Sequence, residues 1–197
     1  MKFRWWLPST LLLILVVQCL YFAWDTGQTL DETFYNGSGY PMVRYNDYRI
    51  LGEHPPLIMQ LGSLPLLLIQ PKYPIDQPIY LPNSTGFDLS KMGSRFLYEM
   101  GNDAHLILFL ERAVVILITL FLGWIVYRWA HQLYGYGGAV LALTLYSFCP
   151  NTITYGSQFT SDLAVTAFFF FALYRVKRFF ELPSVRNGVW TGIFCGL

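Results

Sequence analysis

The sequence predicts an all-helical integral membrane protein, and three observations predict it. Of 197 residues, 54% are hydrophobic and only 13% charged, and the mean hydropathy is +0.40, well outside the balance of a soluble domain. Apolar runs long enough to span a bilayer recur along the chain, the first from Trp5 to Trp24. Lysines and arginines gather at the ends of those runs that the same membrane face would share.

Composition also excludes several classes. A formal net charge of +1 without a clustered basic face gives no reason to expect a nucleic-acid partner. No Gly-rich phosphate loop, zinc-ligand spacing or Ser/His/Asp pattern is visible. Cys19, Cys149 and Cys195 all sit in apolar segments, where they are expected to pack as small hydrophobes. Asn36-Gly37-Ser38 and Asn83-Ser84-Thr85 match the glycosylation acceptor pattern, which is common by chance.

Residues 5–24 form the first spanning helix. Lys2 and Arg4 before it favour a cytoplasmic N-terminus, and Trp5, Trp6, Tyr21 and Trp24 suit the two interfaces. Asp25 and Thr26 follow where a signal peptide would carry a small-residue cleavage site, so the helix is expected to be retained. A long loop over residues 25–103 comes next, expected to contain juxtamembrane helices. Thr29 and Glu32 have capping-box spacing, so a short helix should start there, with Asp31 in its first turn and Tyr35 one turn later. Gly37-Ser38-Gly39 should end it. Pro55 holds His54 extended and Pro56 suits a helix start, which puts Glu53 and His54 on a stiff corner. The apolar run from Leu57 to Ile69 is too short to span and is broken by Pro65, so it reads as re-entrant or interfacial. Residues 70–103 read as a polar loop with aromatics.

Spanning helices are then expected over 104–129, 133–153 and 162–180, with a fifth over 189–197 that the chain cuts off. Glu111 and Arg112 lie inside the second and should face protein, because isolated charges in lipid are costly. Were Leu57 to Ile69 to span, Arg128, Arg175, Lys177 and Arg178 would move outside, against the charge bias. With that segment re-entrant, Asp31, Glu53, His54 and Asp162 all reach the extracytoplasmic face.

Both acids of Asp31-Glu32 suit a helix start, but the capping box gives Glu32 structural work and leaves Asp31 free to act on a substrate. On this basis Glu32→Gln should cost only a few tenths of a kcal/mol, roughly the weaker interaction with the helix dipole. Asp162 likewise opens a helix. A Pro-Pro corner that holds Glu53 and His54 against a membrane is an unusual loop, and ionisable groups there usually carry function.

Asp31-Glu32 after the first helix, Glu53-His54-Pro55-Pro56-Leu57 leading to Leu64-Pro65-Leu66, Arg112, Tyr134-Gly135, and Pro150 followed by Ser161-Asp162 occur in series. In that series the chain resembles the N-terminal part of the polyprenyl-phosphate-sugar-dependent membrane glycosyltransferases of GT-C type, the group of the protein O-mannosyltransferases and the aminoarabinose transferases of lipid A. Aminoarabinose transferases carry Lys where this chain has His54, so it leans away from that subgroup. Members of the group are longer and have many more spanning helices, so the chain is expected to be an N-terminal piece, inactive alone.

The resemblance implies an extracytoplasmic transfer of sugar from a polyprenyl-phosphate donor to a lipid, glycan or protein hydroxyl. Asp31 would be the general base, with Asp162 supporting it or the acceptor. His54, Tyr35 and Arg112 would contact donor phosphate. Glu53 would hold a divalent metal ion, the one cofactor implied, or orient the site. Thr29 and Glu32 would cap. Membrane lipids are the remaining partners, in a bacterial inner membrane or, in a eukaryote, the endoplasmic reticulum. A transporter or scaffold with Asp31, Asp162 and Glu111-Arg112 lining a path is the non-enzymatic alternative.

Overall fold

A computed structural model describes residues 5–50, 54–75 and 86–196. The expectations placed on Lys2, Arg4, Glu53, the Asn83 acceptor pattern and Leu197 lie outside the described residues. Among those described, the chain is helices and turns without a strand. It divides into two compact units, Cys19–Ile116 with Ser157–Ser161, and Met1–Gln18 with Leu117–Gly156 and Asp162–Leu197.

The first of these units carries most of the polar residues. It begins in the last turns of α1, Trp6–Asp25, whose 20 residues rise about 30 Å. Trp24 closes that helix edge-on to His105, 4.0 Å between ring centroids. Helix α2, Leu30–Tyr45, starts at the predicted capping box, in which Thr29 Oγ1 accepts from the Glu32 amide and Glu32 Oε2 accepts from the Thr29 amide. It does not stop at Gly37-Ser38-Gly39. Gly39 serves close packing instead: a Cβ there would lie 2.7 Å from the Met59 carbonyl oxygen. The stop falls at Asn46, which takes the left-handed conformation with φ 54° and returns its amide to the Pro41 carbonyl.

Helix α3, Pro56–Ser63, has Pro56 in its first turn after an extended Pro55, as the Pro-Pro pair predicts. It is 8 residues long, about 12 Å, and α4, Leu66–Ile69, adds only 4 more beyond the Leu64-Pro65 break. Neither approaches the length of a span. The expected polar loop after residue 70 contains a 13-residue helix, α5, Gly86–Tyr98. The signal for it was the apolar set Met92, Phe96 and Leu97, all buried, at helical spacing. These three pack with Tyr40, Leu66, Tyr73, Ile107 and Leu108 into one core, in which Tyr40 and Phe96 stack 5.7 Å apart with ring planes at 13°. Asn102 ties the ends of this region together by accepting from the Lys72 amide and donating to its carbonyl.

Helix α6, Ala104–Ser147, begins in the first unit and continues from Leu117 in the second; it is 44 residues long but not one rod. Gly135, with φ 71° and ψ −168°, breaks it. The chain reverses there, since Tyr146 donates to the Thr119 carbonyl at 2.8 Å and Tyr127 packs with Ala139 and Leu143. The two expected helices over 104–129 and 133–153 are thus the arms of a hairpin, with the second arm ending at Ser147 rather than Ile153. Pro150 is the reason: it disfavours helical backbone at Cys149, which is extended at φ −71°, ψ 119°, and opens a new short helix, α7, Pro150–Tyr155. Helix α8, Asp162–Glu181, buries Leu163, Ala167 and Phe171 against Leu122 and Ile125. Helix α9, Val185–Gly196, starts four residues before the expected Val189. Among the described helices α1 and α6 are long and apolar enough to cross a membrane.

Candidate functional site

The unit that contains α2 is built around a buried ion pair. Glu32 and Arg112 are both fully buried, with Arg112 Nη2 and Glu32 Oε2 2.7 Å apart. A second parallel bond joins Arg112 Nε to Glu32 Oε1, also at 2.7 Å. Two charges removed from water are tolerable only when geometry and further hydrogen bonds satisfy both. Here they do. Arg112 gives its remaining donors to the carbonyls of Ala23, Thr26 and Gly27 at 2.7–2.8 Å, so all five guanidinium N–H groups are engaged. Glu32 Oε1 also accepts from the Phe159 amide at 2.8 Å.

Burial works against the Glu32 carboxylate, but the hydrogen bond and charge of Arg112, with the Phe159 and Thr29 amides, outweigh it and hold Glu32 below the ordinary carboxylate range. The capping residue therefore does more than cap. It fastens the start of α2 to the loop after α1, to α6 and to the 157–161 segment. The Arg112 donors that were expected to meet donor phosphate are all engaged within the protein.

A second buried network lies one turn along. Asn36 donates to Glu111 Oε2, Ser63 donates to Glu111 Oε1 at 3.2 Å, and Gln28 donates to Asn36 Oδ1 at 2.7 Å. Asn36 is 0% exposed, so folding closes its glycosylation pattern to any glycan. The adjacency of Glu111 and Arg112 signalled burial in protein. Nothing in the sequence pointed to Asn36 and Ser63, 27 residues apart, as partners of Glu111.

The unit brings two of the expected donor contacts together. The Tyr35 hydroxyl donates to Ser161 Oγ at 2.7 Å and lies 3.3 Å from His54 Nδ1. In the tautomer that carries its proton on Nδ1, His54 donates to the Tyr35 hydroxyl and leaves Nε2 for another ligand. The Tyr35 ring is buried between His54 and Phe159, whose centroids lie 5.7 and 5.8 Å away. Phe159 itself is seated over Gly62, where a Cβ would meet its ring. Asp31, one turn before Tyr35 on α2, is exposed and makes no hydrogen bond among the described residues. Asp162 follows Ser161, is exposed, and opens α8 in the other unit.

Glu53 lies outside the described residues, and among those described no three His, Cys, Asp or Glu side chains gather to hold a metal ion. The described residues thus supply no ligand set for the expected divalent ion, and no step below is routed through one.

An all-α membrane protein with a polar site beside its membrane helices is the class that fold and site define. Within it, residues 100–197 match the family model described as dolichyl-phosphate-mannose-protein mannosyltransferase. The match supports the GT-C membrane glycosyltransferase family and a role in glycosyl transfer for this chain. No curated protein and no solved structure matches the chain.

Proposed function

We propose that the protein transfers a sugar, with inversion, from a polyprenyl-phosphate donor to a hydroxyl of a lipid, glycan or protein acceptor. The observation that carries this reading is the contrast within Asp31-Glu32. Glu32 is locked into the Arg112 clamp, while its neighbour Asp31 is exposed on the same rigid helix start. A carboxylate so mounted is a fixed base beside solvent and membrane.

Asp31 takes the proton of the acceptor hydroxyl as its oxygen attacks the anomeric carbon. The bond from that carbon to phosphate oxygen breaks, and the lipid phosphate leaves with the electron pair. Phosphate is a good leaving group, so the reaction needs one base and a means of stabilising the departing charge. His54, held by Tyr35, is assigned to the phosphate. The supporting role of Asp162 rests on the resemblance alone, as does the metal role of Glu53. The matched family's own description, which names dolichyl phosphate mannose and protein, favours a dolichol-type donor and a protein acceptor. A multi-pass arrangement, with the site facing away from the cytoplasm, belongs to the same proposal.

The test is transfer of radiolabelled sugar in membranes holding the full-length gene product, from polyprenyl-phosphate and from nucleotide donors. Only the lipid-linked donor should support transfer, and His54→Ala should raise its KM more than it lowers kcat. Transfer from the nucleotide sugar, or solute flux without transfer, would overturn the reading.

A further inference from the structure

The turn between α8 and α9 borders an open pocket of about 590 Å³, within the unit that contains both helices. That is the size range of small-ligand sites. Its walls carry Arg175, Arg178 and Arg186, together with Asn187 and Trp190. The acid on its rim, Glu181, is held by Lys177 one turn back, so it does not neutralise the arginines. Arg175 donates from Nη2 to Asn187 Oδ1 at 3.1 Å, and its Nε is buried without a hydrogen-bond partner. Asn187 is fixed in turn, its backbone amide donating to Ser184 Oγ at 3.2 Å and its side-chain amide to the Leu182 carbonyl at 2.7 Å. Three guanidinium groups that line one pocket favour an anionic oxygen there, which they bind through charge-assisted hydrogen bonds.

The surroundings specify what carries that oxygen. Phe180, Leu182, Val185 and Trp190 are exposed by 77, 54, 86 and 44%, so apolar side chains and an interfacial tryptophan flank the arginines. A soluble anion would gain nothing from such a rim, whereas a phospholipid places phosphate and acyl chain side by side in this way. We propose that the α8–α9 turn is a binding site for the phosphate headgroup of an anionic phospholipid. The arginines pair with the phosphate, and Trp190 and the exposed apolar side chains meet the glycerol and upper acyl chains. Planar guanidinium groups suit this because they bind phosphate through two parallel N–H bonds.

Native mass spectrometry of the full chain in detergent decides it, with titrations of phosphatidylglycerol, phosphatidylcholine and inorganic phosphate. The wild-type chain should retain phosphatidylglycerol at least about tenfold more tightly than Arg178→Gln/Arg186→Gln, a pair chosen because neither side chain is buried. Phosphatidylcholine should bind both forms equally and weakly. Arg128→Gln, which removes an arginine stacked over Trp124 elsewhere in the same unit, should retain phosphatidylglycerol like the wild type. Unchanged retention in the double variant while its thermal transition is intact, equal loss in Arg128→Gln, or binding of inorganic phosphate as tight as lipid would each overturn the proposal.

Discussion

Arg112 and Glu32 hold each other in a place where neither is tolerable alone. Replacing Glu32 by Gln keeps the shape and the cap but leaves the buried guanidinium without its counter-charge, a loss of about 3–5 kcal/mol when one partner of a buried pair is removed. The few tenths expected from capping alone are therefore too small, because capping is one of several contacts this side chain makes. A large drop in the thermal transition of Glu32→Gln in detergent checks this. Since folding holds the Glu32 carboxyl below its ordinary range, its stabilisation is present at neutral pH and above the unfolded carboxyl value. It is lost as pH falls from the unfolded carboxyl value through the lowered folded one. Acid unfolding of the wild type should have a limb in that window that is missing from Glu32→Gln. From the sequence, the capping box was legible because its contacts span three residues. The bond from Glu32 to Arg112 spans 80 residues, and no local pattern records such a pairing.

Among the elements, helix starts were legible wherever a side chain or proline dictates backbone, as at Thr29, Pro56 and Asp162. The end of α2 was not, because glycine serves a stop and a close approach equally well, and only the packed partner decides between them. Helix α5 was missed because its apolar face is short and the stretch around it is polar. The close seat of α5 on α2 gives a direct check. A Cβ on Gly93 would collide with the Thr33 backbone, whereas one on Gly137 would meet nothing within 4 Å. Gly93→Ala should cost about 1–3 kcal/mol of stability, as overpacking does, while Gly137→Ala should be neutral or slightly stabilising. Equal thermal transitions for the two variants would mean that α5 is not seated against α2.

For the whole molecule, membrane character was plain from composition, and the hairpin in α6 was foreshadowed by the two expected helices over 104–129 and 133–153, although the turn falls at Gly135, inside the second of them. The orientation is an expectation from the charge bias and is open to test. In a background lacking Cys19, Cys149 and Cys195, single cysteines at exposed Glu99 and Tyr155 should react with an impermeant reagent in intact cells. Cysteines at exposed Gln132 and Ser184 should react only after permeabilisation. Gly37 and Ser157, though in the same expected extracytoplasmic regions, are buried and would label poorly for reasons unrelated to sidedness. Reaction of Gln132 from outside would invert the topology and remove the site from the face where lipid-linked donors are proposed to act.

The central claim is that Asp31, and not its clamped neighbour, is the base of sugar transfer. Single-turnover transfer from a polyprenyl-phosphate donor by Asp31→Asn in the full-length gene product, measured beside donor binding and thermal stability, is the test. The account predicts a rate lower by about 10²- to 10⁴-fold, with donor affinity and the thermal transition near those of the wild type. An Asp31→Asn protein that turns over at the wild-type rate would contradict it.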